Sequence, residues 1–413
     1  MERSASPATR IGVPQNVASL QSAIADAHAS ATPLRVAGSG TWLDAGRPVN
    51  AAQQLSTRQV AGVVEYVPGD LVISVAAGTT LQEIAHETAK HGQWLALDPY
   101  GSTDGIDIGT IGATIATASQ GPLALGFGRA RDLILGLSFI TGNGTLVRGG
   151  GRVVKNVAGF DLVRLTTGAW GTLGVISQVS LRLHARPAVD ETFAIAVDLP
   201  EAHDVRWAKL LELVQRLNSA PTFAITSSLA SLVVLGHEAP SAVRSRHALP
   251  ASSCILLARA TGNRGRVNAQ RSVLSELGDL TDVDPSVWQT VRSLEGGNAA
   301  IRLSDAPMNS ANTVRHLDEW LSMHGATRAQ SILEPLRGLV RVSCELPDAN
   351  DGGWSLPDRA IAERLPTRLW DSVPCAVNDH ISARLRQQFD PAGILNPGIL
   401  GESKVAERMS IAT

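Results

Sequence analysis

The chain has 413 residues, which at roughly 150 residues per domain predicts two to three domains. Its 36 Lys and Arg residues nearly balance its 38 Asp and Glu residues, and charged residues make up 18% of the chain. This balance argues against a general polyanion-binding protein, because neutralising many phosphates requires a clear basic excess. The 44% of apolar residues are enough for a large core, which excludes a disordered chain.

The residues MERSASPATRIGVPQN at the start contain no apolar signal-peptide core. No apolar run approaches the roughly 18 residues that a membrane span requires. We therefore expect a cytoplasmic protein without direct membrane insertion, compatible with peripheral docking at the inner membrane through partners. The three cysteines, Cys254, Cys344 and Cys375, lie far apart, so we expect buried thiols and no metal or iron–sulfur site.

Short strands and glycine turns dominate the first half of the sequence. Asn16 is a candidate N-cap for the first helix, and Thr80 and Glu83 have the spacing of a capping box that opens the second. The Asn143-Gly144 pair predicts a hairpin turn between two strands. Helices are predicted at 16–30, from 81 to about 92 and at 159–167, and strands at 34–37, 71–76, 94–97, 133–140, 145–148 and 175–183.

After Pro187, longer amphipathic helices alternate with strands. This alternation favours an antiparallel sheet with helices on one face, and the whole chain is therefore predicted to be α+β. Strands are predicted at 192–199, 223–226, 231–235, 254–260, 299–303 and 339–343, and helices at 205–217, 268–277, 313–323 and 376–389. We predict one domain at 1–186, a second α+β domain at 187–375, and a segment at 376–413 that returns to the first domain.

A predicted strand runs directly into the glycine loop, defined here as residues 37–42 (Ala-Gly-Ser-Gly-Thr-Trp). Successive backbone N–H groups of such a loop form a concave anion site, to which the hydroxyls of Ser39 and Thr41 add donors. The loop lacks the G-K-[ST] of a phosphate-binding P-loop and the third glycine of a Rossmann fingerprint. Taken alone, it is more often an ordinary tight turn.

Two further stretches have unusual composition. The run 109–122 carries no charge and alternates small or hydroxyl residues with isoleucine, which suits either a flat cofactor or a tightly packed helical turn. The block 152–176 contains Lys155, Asp161 and three glycines within seven residues. Lys155 or Arg129 is a candidate to bind a carboxylate or a diphosphate, and a structural salt bridge is equally plausible for each. Asp161 is better explained as a helix cap.

Taken in order, the glycine loop, the run 110–122 and the block 159–174 resemble the FAD-binding fold of the vanillyl-alcohol oxidase/p-cresol methylhydroxylase superfamily. Within this superfamily, the sequence is most similar to the E subunits of glycolate oxidases, which are the small FAD-binding chains of the glycolate oxidase complexes. The stretches that carry this closer similarity are 131–136, 154–162 and the closing DPAGILNPG at 390–398. The similarity is weak between 186 and 388.

The resemblance implies a two-subdomain PCMH-type FAD-binding domain at 1–186, followed by an antiparallel α+β cap domain. It assigns FAD contacts to the glycine loop, the charge-free run and two later residues, namely Ala37, Gly38, Ser39, Gly40, Thr41, Trp42, Thr110, Ile111, Gly112, Ala113, Thr117, Gly121, Lys155 and Ile176. Some relatives attach FAD through a histidine in or near the glycine loop. This chain has none there, so non-covalent FAD is expected.

The resemblance further implies a flavin-dependent oxidoreductase acting within a glycolate (2-hydroxy acid) dehydrogenase complex. The implied partners are a larger FAD-binding catalytic subunit and an iron–sulfur subunit, with no nucleic acid. The second half contains no H-x-x-D-G-N-x-H-like motif, which substrate-oxidising relatives carry, and the catalytic base is therefore unknown. Two alternatives stay open: a stand-alone FAD-dependent 2-hydroxy acid dehydrogenase, and a non-catalytic structural subunit.

Overall fold

The computed structural model describes residues 10–101, 109–151, 161–200, 203–347, 354–375 and 377–402. The fold is α+β, as predicted, and its sheets separate by position in the chain. A three-stranded and a five-stranded sheet are built from residues before 183, and an eight-stranded sheet from residues 189–364. Among the described residues, no helix has both the length and the apolar character needed to span a lipid bilayer.

The first part of the chain contains a three-stranded sheet, a five-stranded sheet and a two-stranded sheet formed by Gln93–Trp94 and His184–Ala185. The strands are β1 Arg10–Gly12, β2 Leu34–Ala37, β3 Gln53–Ser56, β4 Val63–Val67, β5 Val72–Ala76, β6 Gln93–Trp94, β7 Ile134–Ile140, β8 Leu146–Gly150, β9 Val175–Arg182 and β10 His184–Ala185. The helices are α1 Val17–Ala29, α2 Leu81–Ala89, α3 Ile111–Ala116, α4 Ala124–Phe127, α5 Ala130–Leu133 and α6 Leu162–Thr166. The order β1-β3-β2 is parallel, and β4-β5-β9-β7-β8 is antiparallel.

Local sequence signals explain where several of these elements begin. The side chain of Asn16 accepts the N–H of Ser19 at 2.9 Å, which caps α1 as predicted. At the start of α2, the Thr80 hydroxyl accepts the N–H of Glu83 at 3.1 Å, and the Glu83 carboxylate accepts the N–H of Thr80 at 2.6 Å. Asp161 caps α6, also as predicted. Each cap satisfies backbone donors that the first helical turn leaves unpaired.

The second part of the chain is one antiparallel sheet in the order β14-β11-β13-β12-β16-β17-β15-β18. Its strands are β11 Val189–Ala196, β12 Ser231–His237, β13 Ile255–Gly262, β14 Leu280–Val283, β15 Ala299–Ser304, β16 Thr327–Glu334, β17 Leu339–Glu345 and β18 Ala360–Arg364. The helices are α7 His203–Asn218, α8 Ala220–Thr226, α9 Ala239–Arg244, α10 Arg264–Ser275, α11 Val287–Arg292, α12 Ser310–Met323 and α13 His380–Phe389.

Helices cover both faces of this sheet, so the prediction of helices on one face was wrong. Leu232 and Val234 of β12 face a core shared with α7, α10 and α12. Val233 and Leu235 face the other way, into a second core shared with α9 and α11. Because both faces of this strand are apolar, both must be covered to exclude water.

Two strand predictions also fail. Residues 223–226, predicted as a strand, belong to α8, which has Pro221 in its first turn, where a proline is tolerated. Residues 94–97 form a strand only at their first position, because β6 ends at Trp94. Short apolar runs do not distinguish a strand from a buried helical turn, and tertiary packing decided both cases.

The three cysteines have different surroundings. Cys254 and Cys344 are buried as expected, and burial raises the pKa of each thiol to about 12, which keeps both unreactive. Cys375 is only half-buried, which corrects the expectation for this residue. Its side chain has no apolar core around it because it lies in a loop beside a cavity described below.

The segment after α13 packs against the first part of the chain. The N–H of Leu34 donates to Ile394 at 2.7 Å, and the N–H of Asn396 donates back to Leu34 at 2.9 Å. Ile394 and Leu395 are buried with α1 and β3. These contacts support the predicted return of the C-terminal segment, and we propose the boundaries near 186 and 375 on this basis.

Candidate functional site

A narrow cleft of about 70 Å³ opens where the glycine loop after β2 meets α3 and the start of β9. Nine of the predicted contact residues line the cleft: Ala37, Gly38, Gly40, Thr41, Trp42, Gly112, Ala113, Thr117 and Ile176. The fold therefore brings together residues that lie up to 139 positions apart in the sequence.

The glycine loop exposes backbone to the cleft because side chains are excluded there. A Cβ on Gly38 would lie 2.1 Å from the Thr110 hydroxyl oxygen, and Gly40 has a φ of +94° that favours glycine. Ser39 does not itself line the cleft, but its hydroxyl is buried beside it in the loop and has no hydrogen-bond partner among the described residues. Buried polar groups are normally paired, so this orphaned donor fits a ligand with acceptor oxygens such as a diphosphate.

Some predicted residues lie outside the lining of the cleft. Thr110 is buried and caps α3, Ile111 enters the apolar core, and a Cβ on Gly121 would lie 1.8 Å from the Asp98 carbonyl. Thr110 and Ile111 therefore position α3 without lining the cleft, and Gly121 packs against Asp98 instead. Lys155 lies outside the described residues. Arg129 precedes α5, where its N–H donates to Asp132 at 2.8 Å, and it lines neither this cleft nor the cavity below.

The sequence analysis missed Arg35, which lines the cleft from β2. Its Nη2 donates to the carbonyls of Trp42 at 3.2 Å and Ala45 at 3.4 Å, which ties it to the far side of the glycine loop. Burial lowers the pKa of Arg35 from its ordinary value, which still leaves it cationic. No ion pair to Arg35 occurs in the part of the chain that the structure describes. It therefore supplies uncompensated positive charge beside the loop.

Asn396 also lines the cleft, although it lies 360 residues beyond β2. Its Oδ1 accepts the N–H of Val36 at 2.8 Å, and its Nδ2 donates to the carbonyl of Trp170 at 2.8 Å. The ring of Trp170 meets that of Trp42 edge-on, with centroids 6.0 Å apart. Asn396 thus joins the strand before the glycine loop to the opposite wall. The closing motif had been noted in the sequence, but nothing in it indicated this contact.

A larger cavity of about 520 Å³ adjoins the cleft, with which it shares Trp42, Thr117 and Trp170. It lies between the first part of the chain and the eight-stranded sheet. Its polar and charged lining comes from both sides and includes Arg47, Tyr100, Ser119, Gln120, Arg302, Asp358, Arg359, Glu363 and Cys375. No histidine lines it among the described residues. A small polar molecule in this cavity would therefore lie next to the cleft.

Asp98 is the most perturbed acid at the junction of the two parts. It is 6% exposed, and its carboxylate accepts the N–H of Leu123 at 3.1 and 3.3 Å. Burial raises its pKa to about 7, although the nearby Arg292 opposes the shift. The folded chain therefore keeps this proton between about pH 4 and 7, where the unfolded chain releases it. The unfolded state is then favoured progressively as pH rises through that window.

Asp98→Asn is expected to become more stable relative to the parent chain as pH rises from 4 to 8. The gain is at most about 4 kcal/mol, since a tenfold change in protonation corresponds to about 1.4 kcal/mol. Urea unfolding at both pH values measures it. Asp305→Asn is the control and should show almost no change between pH 4 and 8, because a backbone hydrogen bond from Ala306 lowers the pKa of Asp305 and places its titration below that window. A pH-independent difference for Asp98→Asn would contradict the assignment.

Known protein families and structures resemble this chain in the region of the cleft. Residues 8–150 match the family described as FAD binding domain. The structure resembles that of p-cresol methylhydroxylase, with a TM-score of 0.67 and 16% identity, covering 95% of this chain and 88% of that one. The orphaned Ser39 hydroxyl, the exposed loop backbone and the Arg35 charge fit the diphosphate of FAD. The chain is therefore an FAD-binding oxidoreductase with an FAD binding domain in its first part, and FAD is its cofactor.

Within that class, the chain is similar to the glycolate oxidase subunit GlcE of Escherichia coli (strain K12). The two are 29% identical over 383 residues, which is 89% of this chain and 92% of that protein. A D-lactate dehydrogenase of Archaeoglobus fulgidus is 29% identical over 192 residues, 46% of this chain and 42% of that protein. The similarity to the glycolate oxidase subunit therefore extends over both parts of the chain, whereas the similarity to the D-lactate dehydrogenase covers less than half of it.

Proposed function

We propose that this chain is the small flavin-binding subunit of a 2-hydroxy acid dehydrogenase complex, with glycolate as the first substrate to test. The observation that carries the proposal is the similarity to a glycolate oxidase subunit over 89% of the chain. When bound, FAD supplies the acceptor for the hydride that leaves C2 of a hydroxy acid. The contribution of the chain itself is to bind the cofactor, exclude water and position the acid.

The residues of the cleft would bind the cofactor. The glycine loop and Arg35 would hold the diphosphate, through backbone N–H groups, the Ser39 hydroxyl and a positive charge. The small residues Gly112 and Ala113 line the cleft and leave room for a flat ring system. Gly112 also lets α3 pack closely on Ala77, whose Cβ would lie 2.8 Å from an added Cβ. The binding is proposed to be non-covalent, since no histidine lies in the glycine loop.

The need for a partner follows from what the sequence lacks. The three cysteines lie too far apart in sequence to supply a cluster-binding motif, so electrons must leave a reduced flavin to another molecule. Tyr100 in the cavity is no candidate for the base, because burial and the neighbouring Glu334 raise its pKa well above the ordinary value and keep its hydroxyl protonated. An iron–sulfur subunit as electron acceptor and a larger flavin subunit are therefore proposed as partners.

Absorbance spectra of the purified chain test this proposal. We expect a flavin spectrum that bleaches with glycolate only after the partner subunits are added. Bleaching of the isolated chain by glycolate or D-lactate would replace the proposal with a stand-alone dehydrogenase, for which the similarity to a D-lactate dehydrogenase is the supporting observation. A chain that assembles with the partners but retains no flavin would be a structural subunit.

A further inference from the structure

Arg302 lies at the boundary between a buried ion network and the large cavity. It belongs to β15, where Ala299, Ile301 and Leu303 enter the apolar core with α12. Side chains alternate along a strand, so Arg302 projects from the opposite face, toward the first part of the chain. It lines the cavity and its side chain is 24% exposed. A long cationic side chain is thus held at the wall of a cavity rather than in open solvent.

The ion network fixes one side of this guanidinium. It runs from Asp44 through Arg364, Glu295, Arg341 and Glu363 to Arg302, with each successive pair of opposite charges within 3.3 Å. Arg302 is the last member, with Nε 3.3 Å from a Glu363 oxygen but without hydrogen-bond geometry. Its Nη1 and Nη2 have no protein partner in the described part of the chain. Two parallel donors are therefore left for a ligand.

The cavity wall also holds a second arginine, Arg47, that forms no ion pair among the described residues. Arg47 lines the same cavity, and its nitrogens donate to the backbone carbonyls of Trp370 at 2.6 Å and Pro374 at 3.0 Å, and to Val373. These carbonyls satisfy its donors without cancelling its charge. The lining holds three arginines and two acidic residues, and the buried Glu334 also faces Arg302.

We propose that Arg302 binds the carboxylate of a small organic acid in this cavity, through paired hydrogen bonds from Nη1 and Nη2. A planar guanidinium matches a carboxylate in this bidentate manner, which a lysine ammonium does not. That the bound acid is a substrate rests on the proposed function, whereas its binding by Arg302 does not. It gives a 2-hydroxy acid an orientation in which the carboxylate points to the sheet and the rest toward the cleft.

Oxalate binding to the full-length FAD-loaded chain tests the proposal, because oxalate has the carboxylates of the substrate class but no C2 hydrogen to lose. Calorimetry and the shift of the flavin absorbance give its Kd. Arg302→Gln is expected to raise that Kd by about tenfold or more, and Arg302→Lys by less, because the lysine restores charge without the paired donors. An unchanged Kd in Arg302→Gln, at unchanged flavin content, would overturn the proposal.

Arg328→Gln is the matched control, since Arg328 is exposed, pairs with Glu345 and does not line the cavity. Its oxalate Kd should equal that of the parent chain. Binding of the neutral glycolamide should not change between the parent chain and Arg302→Gln. If Arg302→Gln loses flavin, Arg302→Lys decides, and a Kd equal to that of the parent chain would reject a bidentate contact.

The closing experiment separates this inference from the proposed function. Oxalate binding that depends on Arg302, in a complex that oxidises no 2-hydroxy acid, would leave the inference standing and reject the function. Oxidation of glycolate by the complex, with the same KM for the parent chain and for Arg302→Gln, would support the function and reject the inference. A raised KM with little change in kcat is the result that supports both.

Discussion

Gly40→Asp is expected to abolish FAD retention by the purified chain. The substitution places a carboxylate in the cleft, where the glycine loop presents backbone. Like charges in contact cost several kcal/mol, so the Kd for FAD should rise at least about 100-fold. Flavin absorbance relative to protein after gel filtration, and titration of the apoprotein with FAD, measure this effect.

Gly62→Asp is the control for backbone strain and charge. Gly62 has a φ of +116°, and an added Cβ there would meet no atom within 4 Å. The residue is exposed and does not line the cleft, so the variant carries similar strain without approaching the ligand. It should retain flavin like the parent chain. Full flavin content in Gly40→Asp would remove the glycine loop from the site.

The glycine loop could be predicted from sequence because its requirements are local. A strand followed by Gly-Ser-Gly-Thr, and two further small-residue stretches in a set order, suffice to indicate a backbone-lined ligand site. The positive φ of Gly40 and the close approach of Gly38 to Thr110 give the physical reason for these glycines. Hydroxyl and glycine residues were therefore informative without any knowledge of the tertiary structure.

Arg35 and Asn396 could not be assigned in this way. Arg35 differs in no visible respect from a strand arginine on the surface, and only its burial beside the loop makes it part of the site. Asn396 acts through one bond to Val36 and one to Trp170, across 360 and 226 residues. Contacts at such separations follow from the packing of the C-terminal segment on β2, which no local pattern encodes.

Most of the helices and strands predicted for the second half are present in the structure, but the charged side chains that meet on one face of its sheet were not predicted. Alternation placed Val340 and Val342 of β17 in the apolar core, and the same alternation puts Arg341 on the other face. In sequence, Arg341 and Glu363 look like solvated charges. They meet because β17 and β18 both flank β15. The cavity wall therefore depends on strand order, which the sequence alone left open.

Arg341 is the centre of the buried ion network and gives the largest expected effect on stability. It is 4% exposed and lies 3.0 Å from both Glu363 and Glu295. Burial alone would lower its pKa, but the two carboxylates outweigh that effect and hold the pKa above its ordinary value. Its guanidinium also lies over the ring of Tyr100, 5.1 Å from the centroid. The network thus joins the eight-stranded sheet to the first part of the chain.

Arg341→Met is expected to lower the free energy of unfolding by about 3–5 kcal/mol, because it leaves two buried carboxylates without their shared cation. Adding Glu363→Gln should restore part of the loss, since it removes one of the unpaired charges. Arg271→Met breaks an exposed pair with Asp282 and should cost no more than about 1 kcal/mol. Urea unfolding of the full chain, with FAD saturating in every sample, gives these differences. If Arg341→Met proves no more costly than Arg271→Met, then the network does not stabilise the junction, and the fixed position of Arg302 loses its structural basis.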